Sequence, residues 1–141
     1  MKLSKLFSAC VLIGSAFVAT SALALPPTNV AGLVGTWTNN NSSTNGITKI
    51  AVWNRGSSLY FKSWGSCVPT DCVHTTVPAY AHSASVSSNT AVGLYAFRNN
   101  GFAYTRFAAT RVGSYLRVTY YTTFAAGDSR KNYTKTEYYH R

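Results

Sequence analysis

Asp71, Asp128 and Glu137 are the only acids in a chain of 141 residues that carries 13 lysines and arginines. Glycoside hydrolysis and two-metal phosphoryl transfer both need carboxylates gathered at one site, and this scarcity weighs against either. A nucleophile needs an activating base and usually an orienting acid. Serines are plentiful, but Asp71 lies between two cysteines and Asp128 in a late loop, so no Ser, His and Asp fall together. His74, His82 and His140 show neither a His-x-x-x-His nor a Glu-x-x-His spacing, and each reads as an ordinary, partly exposed histidine. Glycine-rich phosphate loops are absent. The sequence predicts no enzyme, no catalytic residue, no cofactor and no bound metal.

Cys67 and Cys72 form an even pair once the first 24 residues are set aside. In an exported chain such a pair reads as a disulfide, closing the loop Cys67-Val-Pro-Thr-Asp-Cys72. Four intervening residues match neither a thioredoxin-like redox motif nor a zinc knuckle. A Cys-x4-Cys-x-His site that recruits His74 is the alternative, and an oxidising compartment favours the disulfide. The bridge is expected to fix the shape of one connection, because so short a loop limits the entropy gained by closing it.

The exported compartment is read from the N-terminus. Lys2 and Lys5 supply a positive start, Leu6 to Val18 an apolar run, and Ala22-Leu23-Ala24 a small-x-small cleavage site. Residues 1–24 thus read as a secretory signal peptide, and residues 25–141 as a single domain. The run is shorter than the roughly 20 apolar residues of a membrane span, and no second one follows, so no transmembrane segment is expected. Secretion to the medium is the expected destination, with the periplasm as the alternative; a folded, disulfide-bonded domain is a candidate for type II secretion. Loss of Lys2 and Lys5 takes the formal charge from +10 to +8.

These side chains have to be positioned by strands. No window shows a 3.6-residue period; β-branched and aromatic runs alternate with turn signals instead. Strands are expected at Leu33–Asn39, Ile47–Trp53, Ser58–Trp64, Val73–Ala84, Ala91–Asn99, Phe102–Val112, Tyr115–Phe124 and Asn132–His140. Pro78 marks the fourth as an edge or bulged strand. Asn100-Gly101 predicts a two-residue type I′ hairpin and Gly113-Ser114 a type II′ hairpin. Eight strands joined in order predict an all-β fold, an antiparallel up-and-down barrel that closes away its edges. A β-sandwich is the alternative.

Alternation from these turns assigns the faces. Val92, Leu94, Ala96, Phe107, Leu116 and Val118 are expected inside. The other face gathers Tyr95, Phe97, Phe102, Tyr104, Arg106, Arg117 and Tyr121, with Tyr95 opposite Arg106 and Phe97 opposite Tyr104. That face is too aromatic for an ordinary solvated surface. A net positive domain attracts anions through its long-range field, and arginines interleaved with tyrosines join charge pairing to ring stacking.

Gly35-Thr36-Trp37-Thr38-Asn39 resembles the G-x-W opening of calycins, the barrels that include lipocalins and avidins, and is most similar to the avidin opening. The resemblance implies a barrel carrying a small ligand, with Trp37, Asn39 and Ser43 at the barrel mouth; Asn39 and Ser43 match positions that hydrogen-bond the biotin ring in avidins. The chain departs from avidins in having all three tryptophans (Trp37, Trp53, Trp64) early. The segment Trp64-Gly65-Ser66-Cys67-Val68-Pro69-Thr70-Asp71-Cys72 also resembles a pattern in uncharacterised secreted bacterial domains, which implies export and no activity.

The functional expectation is a secreted, non-enzymatic binding protein. Its preferred ligand is an anionic glycan or lipid surface, held by Tyr95, Tyr104, Arg106, Arg117 and Tyr121. Nucleic acid is a lesser candidate. The alternatives are a carrier with its ligand inside the barrel and a protein–protein interaction or inhibitor module, the aromatic face then serving as a homo-oligomer interface.

Overall fold

The computed structural model describes residues 25–141, and the expected signal peptide lies outside them. Nine strands follow in order: β1 (Gly35–Asn39), β2 (Ile47–Arg55), β3 (Ser58–Gly65), β4 (Cys72–Val73), β5 (Val77–Ser83), β6 (Ala91–Asn99), β7 (Ala103–Val112), β8 (Tyr115–Phe124) and β9 (Tyr133–His140). All pairings between them are antiparallel, and β1 pairs with β9 while β2 pairs with β3, so the sheet closes on itself. The two-residue β4 and β5 both pair with β3 and form one interrupted strand. The result is an eight-stranded up-and-down barrel rather than a sandwich. Pro78 sits in β5 opposite Tyr60, just past the interruption, on a strand that is broken but not an edge.

The hairpins account for the register. Val112 faces Tyr115 across a two-residue loop in which Gly113 alone has positive φ, +59°, as a type II′ rather than a I′ turn requires. The Asn100-Gly101 turn differs from the expected I′ form. Gly101 has φ +81° but Asn100 does not have positive φ, and Asn100 N–H donates to the Ala103 carbonyl, so the two-residue turn is Gly101-Phe102. The register moves by two residues: Phe97 faces Arg106, and Tyr95 faces Ala108. An even shift keeps every side chain on its face.

One expected core residue is outside. A bulge pairs Ser83 with Ala91 and His82 with Gly93, leaving Val92 unpaired and 36% exposed. A bulge consumes one residue and reverses the alternation beyond it.

The interior is divided along the barrel axis. Ile50, Phe61, Phe107, Leu116 and Val118 fill its middle and lower part and are at most 1% exposed; such burial contributes about 1.5–3 kcal/mol for each large side chain. The segment before β1 plugs the lower end. Trp37 Nε1 donates to the Leu33 carbonyl at 2.9 Å, and the Arg141 guanidinium lies 4.4 Å from the Trp37 ring centroid. The same guanidinium donates to the carbonyls of Ala31, Gly32 and Val34 at 3.2, 2.9 and 2.8 Å. Gly35, at φ +140°, leaves room for it, since a Cβ there would stand 3.2 Å from Arg141 Nε. No helix of the described residues is long and apolar enough to cross a membrane.

A polar cavity at the mouth of the barrel

The opposite end carries the loops 40–46, 66–71, 100–102 and 125–132, and a cavity of about 350 Å³ opens among them. Its floor comes from one cross-strand row. Arg98 of β6 faces Thr105 of β7 and Thr105 faces Thr122 of β8, and the row rises to the rim where Thr122 faces the exposed Tyr133 of β9. Phe102, Phe124 and Tyr133 stand at the rim, and the Cys67–Cys72 disulfide forms part of the wall.

Arg98 is the unusual member. It is 7% exposed, yet no carboxylate of the described residues pairs with it. Its Nη1 donates to Ser63 Oγ at 2.7 Å, the guanidinium lies 5.2 Å from the Phe107 ring, and its Nε is the one buried side-chain polar atom among the described residues without a partner. Burial pushes its pKa below the usual guanidinium value. A buried charge costs several kcal/mol unless compensated, and all three acids are engaged elsewhere. Asp71 accepts from Thr48 and Asp128 from Arg130, while Glu137 is ion-paired with Lys135.

Ser63 links Arg98 to His74. Arginine has no acceptor, so Ser63 Oγ accepts from Arg98, and it shares a second hydrogen bond with His74 Nδ1, 3.0 Å away. Burial, with the Arg98 charge adding to it, lowers the His74 pKa to about 4. Thr105 Oγ1 and Thr122 Oγ1 are 3.3 Å apart, and one mutual bond uses one of their two hydroxyl protons. Arg98, His74 and the threonine pair thus line the cavity with polar groups, and Arg98 brings an N–H to spare.

Beside the cavity a satisfied cluster holds the mouth in shape. Glu137 accepts from Thr44 Oγ1, from Tyr120 at 2.9 Å and from Tyr139 at 3.2 Å, and pairs with Lys135 at 2.9 Å. Burial favours its neutral form, but the bonds from Thr44, Lys135 and Tyr120 outweigh this and hold its pKa below the usual value. At the rim, Arg130 packs 4.1 Å from the Phe124 ring centroid and chelates Asp128, whose pKa falls to about 2 through those bonds.

The residues expected to bind lie elsewhere. Tyr104, Arg106, Arg117 and Tyr121 point outward from the barrel, with Tyr95 half-buried on the same face. Arg106 faces Phe97 and Tyr121 in one row and stands 5.6 Å from the Phe97 ring, which stacks on Tyr104 at 6.2 Å. Arg117 faces Thr110, four residues along β7 from Arg106, or about 14 Å at the rise of a strand. Phe102 leaves that face for the mouth. Among the expected mouth residues, Trp37 is wholly buried in the plugged half, and Asn39 spends its side chain on the Ile47 carbonyl and the Asn41 N–H. Ser43 is on the exposed surface of its loop.

Arg98, Ser63, Thr105 and Thr122 were not singled out by the sequence, and His74 was read as ordinary. The signal for Arg98 was present, because the inward alternation through Leu94 and Ala96 continues onto it. No group of His, Cys, Asp and Glu that could hold a metal ion occurs among the described residues. No family model, curated protein or solved structure matches this chain.

Proposed function

We propose that this protein is a secreted, non-enzymatic binding barrel that takes a small ligand into its open end. The observation that carries this reading is the asymmetry of the barrel: one end is plugged by residues 30–34 under Arg141, and the other opens on a cavity with a polar floor. Eight-stranded barrels are just wide enough to be filled by side chains or to hold one small ligand, and here the two conditions occupy different halves. The calycin-like opening at Gly35-x-Trp37 supports the same reading, with Trp37 serving the filled half instead of touching ligand. Ser63 and His74 resemble a nucleophile and base, but Ser63 is 1% exposed and no carboxylate hydrogen-bonds His74. The pair reads as a device for orienting donors.

The test is ligand retention by Ala103→Trp, which places a large ring in the cavity from a buried position on β7. A ligand found by native mass spectrometry on the wild-type protein should be absent from this variant at unchanged secondary structure. Equal retention would place the ligand elsewhere and overturn the reading.

A second reading is favoured by the outward stack of Arg106, Phe97 and Tyr104, which offers charge and ring faces to an anionic glycan or lipid surface. Its test is salt. Counterion-driven binding to a sulfated glycan should weaken steeply as salt rises, and Arg106→Ala with Arg117→Ala should abolish it. Salt-insensitive binding, or binding untouched by both substitutions, would remove this surface from the account.

A further inference from the structure

Arg98 lies on the floor of the cavity with a charge that nothing in the described residues neutralises, and the Thr105 and Thr122 hydroxyls stand beside it. From this we infer that the cavity has an acid subsite: Arg98, with the threonine pair Thr105 and Thr122, receives the carboxylate or phosphate head of a small organic acid. The inference rests on the cavity being the binding site and adds the class of ligand.

Three features support it. Arg98 is more than nine-tenths buried, lines the cavity and has an unpartnered Nε, so its fork has donors left after Ser63 is served. A planar fork matches the paired oxygens of a carboxylate or phosphate better than any neutral group. Of the two cationic side chains that line the cavity, Arg130 is matched by Asp128, which leaves Arg98 as the uncompensated one. An arriving anion would supply the missing partner and remove the cost of the buried cation.

The rim describes the rest of the ligand. Phe102, Phe124 and Tyr133 stand over the floor, and Phe124 and Tyr133 pack with ring centroids 6.2 Å apart. Aromatic walls above a charged floor suit a compact molecule with an acid head and an apolar or aromatic body. A cavity of about 350 Å³ admits a body of one ring and falls at the small end of ligand pockets, roughly 300–1,000 Å³.

The experiment titrates the purified protein with benzoate, phenyl phosphate and benzamide, following heat by calorimetry and cavity amides by NMR. Benzoate and benzamide share shape and differ in charge. The expected result is binding of at least one acid, with benzamide at least tenfold weaker. Preference between benzoate and phenyl phosphate tells which acid head the floor fits. Arg98→Met should lose acid binding by at least tenfold while remaining folded, and Arg98→Lys should retain part of it. Equal affinity for benzoate and benzamide, or acid binding unchanged in Arg98→Met, would overturn the acid subsite. So would no binding of either acid at about 10 mM, far above the range of specific recognition. Ala103→Trp separates the two claims. If benzoate and benzamide bind alike and both are lost in this variant, the cavity stands and the acid subsite falls. If acid binding survives in it, the cavity reading falls as well.

Discussion

Arg98 Nη1 donates to Ser63 Oγ across 2.7 Å, and this is the one hydrogen bond its guanidinium makes within the described residues. The contact holds a charge in place without neutralising it. A barrel built only for stability would put a methyl or phenyl group at this position, because replacing a buried ion by an apolar side chain of similar volume is often neutral or stabilising. Retaining an arginine there trades stability for a preset ligand contact.

Arg98→Met should therefore leave the ligand-free barrel equally stable or up to about 2 kcal/mol more stable. Urea denaturation without ligand checks this. A loss of more than about 1 kcal/mol would show that the guanidinium is a net structural element.

Glu137→Ala should cost about 3 kcal/mol, since it leaves Lys135 unpaired and removes the acceptor of Tyr120 and Tyr139. Gly46→Ala should mimic part of this loss, because its Cβ would meet the Tyr120 hydroxyl and stand 3.2 Å from Glu137 Oε2. Denaturation midpoints of the two variants measure the cluster from opposite sides.

Two pH windows should separate. His74 has a folded pKa of about 4 against an ordinary 6.5, so the unfolded chain binds the proton first. Stability from this group is complete above pH 6.5 and erodes as pH falls toward about 4, by about 1–2 kcal/mol after allowing for the half-exposed ring. Glu137 is depressed below 4.5, so its contribution is complete above pH 4.5 and is lost only at lower pH. Stability curves against pH should lose the upper window in His74→Phe and the lower one in Glu137→Gln.

Arg141→Ala should loosen the plugged end. It removes three donations to carbonyls and the cation over Trp37, at a cost of about 1–2 kcal/mol. Tryptophan fluorescence and denaturation would follow it, and acid binding at the mouth should be unchanged.

The strands were legible because local signals agree. Both ends of β6 and β8 fall where alternation and turn residues place them, and Gly113-Ser114 fixes one register outright. The Asn100-Gly101 register slipped by two residues because the turn is centred one residue on, at Gly101-Phe102, with Asn100 bonded to Ala103 across it. Val92 was lost to a bulge, which no composition announces. The site was less legible. Arg98 continues the inward alternation, but a charge argues for solvent until the fold shows a cavity beneath it. His74 and Ser63 come together only because β3 and the interrupted β4–β5 strand pair across the disulfide loop.

The measurement that bears most directly on the central claim is an NMR titration of the isotope-labelled protein with phenyl phosphate and, separately, with a sulfated tetrasaccharide. Phenyl phosphate should shift the amides of Gly65, Thr105 and Thr122 at the mouth and leave the outward row of Phe97, Arg106 and Tyr121 unmoved. Shifts confined to that outward row with either probe, and a silent mouth, would contradict the claim.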